Sequence, residues 1–188
     1  MRVRLFATVL ALAAAPLAAF GADEENPYKK AKVGDYATYK TTMKFAGMTL
    51  EGTMTQTVTA KSEKEATVTI TTKMNGMDFP ERKQTIDLTK PYDPLKVTSD
   101  LPAGVEAKVE KLKDGTEKLK VGDKSYDCKW ETFKMKAKAA GLEIDTDAKV
   151  WQSKDTPLQL VKMEVTGEFG GQKMAMEMEL SETGSKKD

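Results

Sequence analysis

The side chains best suited to chemistry in this chain carry sulfur. Met174, Met176 and Met178 occupy every second position of "EFGGQKMAMEMEL", residues 168–180. Alternation by two sets all three on one side of an extended strand. Thioethers in that pattern support three readings. They can be core, since methionine fills irregular gaps; they can line a pocket for an apolar guest; or they can ligate Cu(I), a soft ion that suits soft sulfur. Side chains two apart on a strand are rooted ~7 Å apart, so sharing one ion requires the strand to bend.

Other reactive groups are few. The chain has no histidine, which removes imidazole triads, dyads and His-ligated zinc. Its one cysteine, Cys128, cannot bridge within the chain, and with no basic group placed to lower its pKa it reads as a buried, inert thiol. No glycine-rich phosphate loop is present. Asp145 and Asp147 each fall opposite a lysine in the pairing derived below, which makes them ladder partners rather than calcium ligands or catalytic carboxylates. The expectation is a protein that is not an enzyme, with no cofactor and no metal site.

Residues 1–21 read as a secretory leader. Arg2 and Arg4 precede an apolar run, Leu5 to Leu17, that is too short to span a bilayer, and Ala19-Phe20-Gly21 offers small residues where a signal peptidase cuts. Removing these residues leaves 28 basic and 29 acidic side chains. That balance gives no electrostatic reason to expect nucleic acid as a partner. No later stretch is apolar enough to span a membrane. The expected product is periplasmic or secreted, with an N-terminal segment 22–32, one β domain 33–181 and a disordered tail 182–188. A short helical turn is expected near Asn26-Pro27 to Lys32.

The elements that must position the methionines are hairpins. Threonine, valine and alternating apolar residues are punctuated by Ala46-Gly47, Asn75-Gly76, Ala140-Gly141 and Gly170-Gly171. A two-residue loop fixes register, and register fixes which face each side chain takes. A loop at Ala140-Gly141 pairs Ala137 with Ile144, Met135 with Thr146 and Phe133 with Ala148 on one face. The other face pairs Lys138 with Glu143, Lys136 with Asp145 and Lys134 with Asp147, a charge ladder that a one-residue slip would destroy.

A loop at Gly170-Gly171 sets Met174 opposite Gly167, Met176 opposite Val165 and Met178 opposite Met163. It also sets Glu164 against Glu177, a like-charge pair that the sequence does not explain. A loop at Ala46-Gly47 matches Phe45 with Met48, Met43 with Leu50 and Tyr39 with Met54. The Asn75-Gly76 hairpin pairs Met74 with Met77, but Pro80 cannot donate to a ladder, so a bulge or edge follows. The proline-bearing stretch 89–104 reads as a loop, and further turns are expected at Asp114-Gly115 and Gly122-Asp123. The sum is an all-β protein: a curled antiparallel sheet, half-barrel or barrel, of ten or eleven strands with almost no helix.

Trp130 and Trp151 face each other on the side of the charge ladder, beside Cys128. They form either a small second core, covered by the N-terminal segment or the proline loop, or an exposed aromatic patch for a protein partner. Lysines 108, 111, 113, 118, 120 and 124 are placed to protect edge strands from pairing with other chains.

The stretch from Lys118 to Gly167, with "GDKSYDC" leading to "KVWQSKDTP" and then "LVK", resembles exported bacterial β-proteins of unassigned function. More distantly, the all-hairpin plan is similar to the curved half-barrels of the LolA and LolB type of periplasmic lipoprotein carrier. A one-sided apolar sheet of this size must bury that face around its own side chains or around a guest, and the expectation is an exported binding protein for an apolar or lipid-like ligand in the cell envelope. The residues expected to line its cavity are Met43, Met54, Phe133, Met135, Met163, Met174, Met176 and Met178. The alternatives are a periplasmic Cu(I)-binding protein and a structural envelope protein that binds a partner through Trp130 and Trp151.

Overall fold

The structure is a computed structural model that describes residues 26–90, 106–139, 142–169 and 171–186. The leader, most of the proline-bearing stretch and the Ala140-Gly141 turn itself lie outside the described residues. Ten strands are present among those described: β1 (Asp35–Phe45), β2 (Met48–Lys61), β3 (Glu65–Met74), β4 (Met77–Asp78), β5 (Arg82–Asp87), β6 (Glu106–Val121), β7 (Lys124–Ala139), β8 (Leu142–Gln152), β9 (Leu160–Phe169) and β10 (Gln172–Ser185). They form one antiparallel sheet in the order β4-β3-β2-β1-β10-β9-β8-β7-β6, with β5 pairing β3 beyond β4. The sheet is curled and not closed. Its curl brings edge strand β6 back near β10, four strands away in the order.

Strands that must bury one face alternate, and the register follows the alternation. β7 and β8 pair Met135 with Thr146, Lys136 with Asp145 and Trp130 with Trp151. β9 and β10 pair Val165 with Met176 and Met163 with Met178. β1 and β2 pair Met43 with Leu50 and Tyr39 with Met54. After Asn75-Gly76, β4 pairs only Met77 and Asp78 with β3, and the ladder resumes as β5, shifted by one residue beyond Pro80. The shift keeps Ile86 buried on the core side. Glu164 and Glu177 do stand opposite each other. Lys162 reconciles them: its Nζ lies 2.9 Å from Glu164 and 2.8 Å from Glu177.

Two expectations need correction. Asp114-Gly115 is not a turn; β6 runs through it without a break from Glu106 to Val121. Gly115 stands opposite Trp130, and a Cβ there would fall 2.7 Å from the indole ring. The glycine makes room for tryptophan rather than reversing the chain. The irregularity in this strand lies earlier, between Lys111 and Lys113, where Leu112 has no partner in the ladder and stands exposed. The tail, in turn, does not begin at 182. β10 continues to Ser185 against β1, held by Thr183 Oγ1 donating to the Tyr36 carbonyl and Tyr36 Oη donating to Glu182.

The N-terminal segment has one turn of 3-10 helix, Pro27–Lys29, with the Asn26 side chain accepting from the Tyr28 amide. Tyr28 and Ala31 are buried in the same core cluster that holds the methionines and Trp151.

Candidate functional site

All eight residues named from the sequence fall on the concave face, and seven of them share one buried cluster; Met135 is buried outside it. Met43 lies on β1, Met54 on β2, Phe133 and Met135 on β7, Met163 on β9, and Met174, Met176 and Met178 on β10. Each is buried, from Met163 at 0% exposure to Met135 at 9%. Cross-strand pairing sets Met43 beside Met176 and Met178 beside Met163. Side chains paired this way are rooted about 5 Å apart, closer than the alternate positions of one strand.

Among the described residues, four polar atoms are buried on this same face with no hydrogen-bond partner: Tyr39 Oη, Thr41 Oγ1, Thr146 Oγ1 and Glu131 Oε2. Their side comes from alternation, since Tyr39 and Thr41 share phase with Met43, Thr146 with Val150, and Glu131 with Phe133 and Met135. Burial pushes the Tyr39 phenol well above its ordinary pKa, and the charge of Tyr28 adds to the effect. Burial likewise raises Tyr28 to about 12.

Glu131 is the functional candidate that sequence reading missed. A carboxylate in a strand rich in lysine reads as part of a solvated ladder, yet its phase is that of Phe133 and Met135, and this was the available signal. Only 2% of its side chain is exposed. Lys111 Nζ lies 2.5 Å and Lys129 Nζ 3.4 Å from its Oε1. Both lysines are about one-third exposed, so one carboxylate oxygen meets cations at the rim of the concave face.

The convex face differs. Trp130 and Trp151 are paired as expected, but they do not stand open. Lys149 Nζ sits 4.5 Å from one ring centroid and 4.3 Å from the other. Glu117 accepts from Trp151 Nε1 at 2.5 Å and from Lys149 at 3.1 Å. The indole hydrogen bond, with that of Lys149, lowers the Glu117 pKa. Trp151 is buried and Trp130 half-buried. Cys128 is buried beside them, and desolvation, with the charges of Glu117 and Asp127, pushes its thiol up to about 11. That value suits an inert thiol. A cleft of about 640 Å³ next to Cys128 is lined by polar and charged residues, among them Glu117, Gln152, Ser153 and Asp155, and includes none of the methionines.

No protein family matches the sequence, and no curated protein matches it. Solved structures do match its shape. A protein from Bacteroides fragilis, described as exported and of YmcC-like fold, superposes with a TM-score of 0.54 at 9% identity, over 82% of this chain and 97% of the other. The two share a fold. A protein described as a lipoprotein, from Parabacteroides distasonis, gives a TM-score of 0.49 at 12% identity, over 82% and 98% of the two chains. What the comparison supports is the shared fold, and it lends no support to a likeness to LolA and LolB carriers. No α-helix lids the concave face among the described residues.

Proposed function

We propose that this chain is an exported, non-enzymatic binding protein of the bacterial cell envelope, and that its concave face takes an apolar or lipid-like ligand. The leader-like residues 1–21 and the fold shared with a protein described as exported support the location. The observation that carries the binding reading is the set of four unpaired polar atoms on a methionine-rich face. A buried polar group without a partner costs about 1–3 kcal/mol. A finished core avoids that cost, since nearly all buried polar groups in native proteins are paired. A face that is apolar over most of its area, with a few polar points, is what an amphipathic guest requires.

The test is direct. Protein purified from the cell envelope carries extractable lipid, and delipidated protein binds an acyl-chain fluorophore with micromolar affinity or better, about 8 kcal/mol. Met176→Asp abolishes binding, while Lys136→Glu on the convex ladder leaves it unchanged. Absence of both native lipid and probe binding in folded protein would refute the reading.

The Cu(I) alternative gains one observation, the cross-strand pairing of Met43 with Met176 and of Met163 with Met178. Its test is retention of Cu(I) against a chelator of moderate strength. We expect none retained; stoichiometric copper, lost when Met174, Met176 and Met178 are all leucine, would replace the lipid reading.

A further inference from the structure

We infer that the ligand carries a neutral hydrogen-bond-donating head, a hydroxyl or amide, that binds Glu131 Oε2, and that a free carboxylate head is disfavoured. This rests on the reading of the concave face as an acyl-chain site and adds the chemistry of its polar end.

Glu131 closes one end of a row that crosses five strands. Reading along the register, Thr41 on β1 stands opposite Met178 on β10, Met178 opposite Met163 on β9, Met163 opposite Val150 on β8, and Val150 opposite Glu131 on β7. Every member is buried. The row is apolar in the middle, with an unpaired oxygen at each end: Thr41 Oγ1 and Glu131 Oε2. Four strand spacings make a path of at most about 19 Å along the sheet, a length that suits a long acyl chain.

The charges around Glu131 decide which head fits. Lys111 and Lys129 both approach Oε1, and Lys111 also lies 3.6 Å from Asp114 Oδ1. Two cations and two carboxylates balance, so the rim offers no surplus positive charge. The cations are engaged on Oε1, and the oxygen left to a ligand, Oε2, shares the carboxylate's negative charge. A carboxylate or phosphate brought to Oε2 meets repulsion without a free partner. A cationic head can pair with Oε2 only by shedding its hydration to reach a fully buried oxygen, which is costly. A hydroxyl or amide N–H donates to Oε2 and completes the carboxylate's hydrogen bonding, and such charge-assisted bonds are the stronger class.

Three ligands of equal chain length separate the possibilities: 1-monopalmitoylglycerol, methyl palmitate and palmitate, titrated into the delipidated full chain. The expected result is that the glyceride binds about ten-fold tighter than the other two. In Glu131→Met the glyceride-to-ester ratio falls to near one while methyl palmitate binds as before, which shows that the fold and the chain site persist. Lys136→Glu, on the exposed convex ladder, leaves the ratio unchanged. Palmitate as the tightest ligand, or a ratio that survives Glu131→Met, overturns the assignment of the head group alone. If none of the three ligands binds the wild type, the acyl-chain reading falls, and this inference with it.

Discussion

The concave and convex faces of the sheet invert what their sequences advertise. The convex patch has two tryptophans, a thiol and a cluster of charges, the usual signs of a site. Yet Lys149 fills the space over both indoles, and Glu117 accepts from both Lys149 and Trp151. Trp151 Nε1 and Lys149 Nζ both find an acceptor within the chain. The concave face looks like plain core, and there, among the described residues, four polar atoms remain without a partner. Unfinished hydrogen bonding, rather than aromatic or charged content, is what supports the binding proposal for this face. A lysine between two tryptophans serves as a buttress, since the cation contributes roughly 0.5–1 kcal/mol where partly exposed.

The largest expected effect tests whether the concave face is dry. Met176→Lys buries an ammonium with no carboxylate in its row, since its cross-strand neighbours are Met43 and Val165. We expect a loss of more than about 4 kcal/mol in urea unfolding, in the range reserved for unpaired buried charge. Met176→Leu, which keeps volume and apolarity, should cost under about 1.5 kcal/mol. The convex counterpart, Lys149→Met, should cost under about 1 kcal/mol. Equal losses for Met176→Lys and Lys149→Met would erase the distinction between the faces.

A smaller effect is expected at Gly115. In an open strand, replacing glycine by alanine stabilises by roughly 0.5–1 kcal/mol through backbone entropy. Here the added Cβ would fall 2.7 Å from the Trp130 ring, so Gly115→Ala should instead destabilise by about 1–3 kcal/mol and shift tryptophan emission. Adding Trp130→Ala should remove the penalty, because the obstacle is the ring. If Gly115→Ala stabilises the wild type, the indole does not pack on that strand.

Gly115 also shows where sequence reading ends. Asp-Gly is a turn dipeptide, and nothing local says that a tryptophan fifteen residues later needs the space. The registers of β1–β2, β7–β8 and β9–β10 were legible because a slip of one residue would move every apolar side chain to the wrong face. The Glu164–Glu177 pair was seen but not its remedy: Lys162 pairs with Glu179 in the ladder yet reaches both glutamates, a three-body contact that pairwise reading omits. Burial pulls the Lys162 ammonium pKa down, and Glu177 and Glu164 more than offset this, leaving it at about 12. The eight lining residues were legible as a face. Glu131 was not, because residue type argued for solvent and phase argued for core, and phase prevailed. The end of β10 was missed because "SETGS" reads as a polar tail, whereas its bonds to β1 come from the backbone and from Thr183 and Glu182.

The smallest effect concerns acid and the convex patch. Glu117 is held below its ordinary pKa by the hydrogen bond from Trp151, then by Lys149. A carboxylate whose pKa is lower in the folded state contributes stability above its unfolded value, and that contribution is lost as pH falls through the folded value. Protonation of Glu117 removes the charge that holds the Trp151 indole and releases Lys149 from the rings. Tryptophan emission should therefore titrate with a midpoint below the ordinary glutamate range, ahead of any loss of β-sheet signal in circular dichroism. Glu117→Gln should flatten this transition, while Glu131→Gln, on the opposite face, should leave it in place. A midpoint at or above the ordinary glutamate value would mean that the Trp151–Glu117 bond does not persist in solution, and the convex face would then regain a claim to be the binding surface.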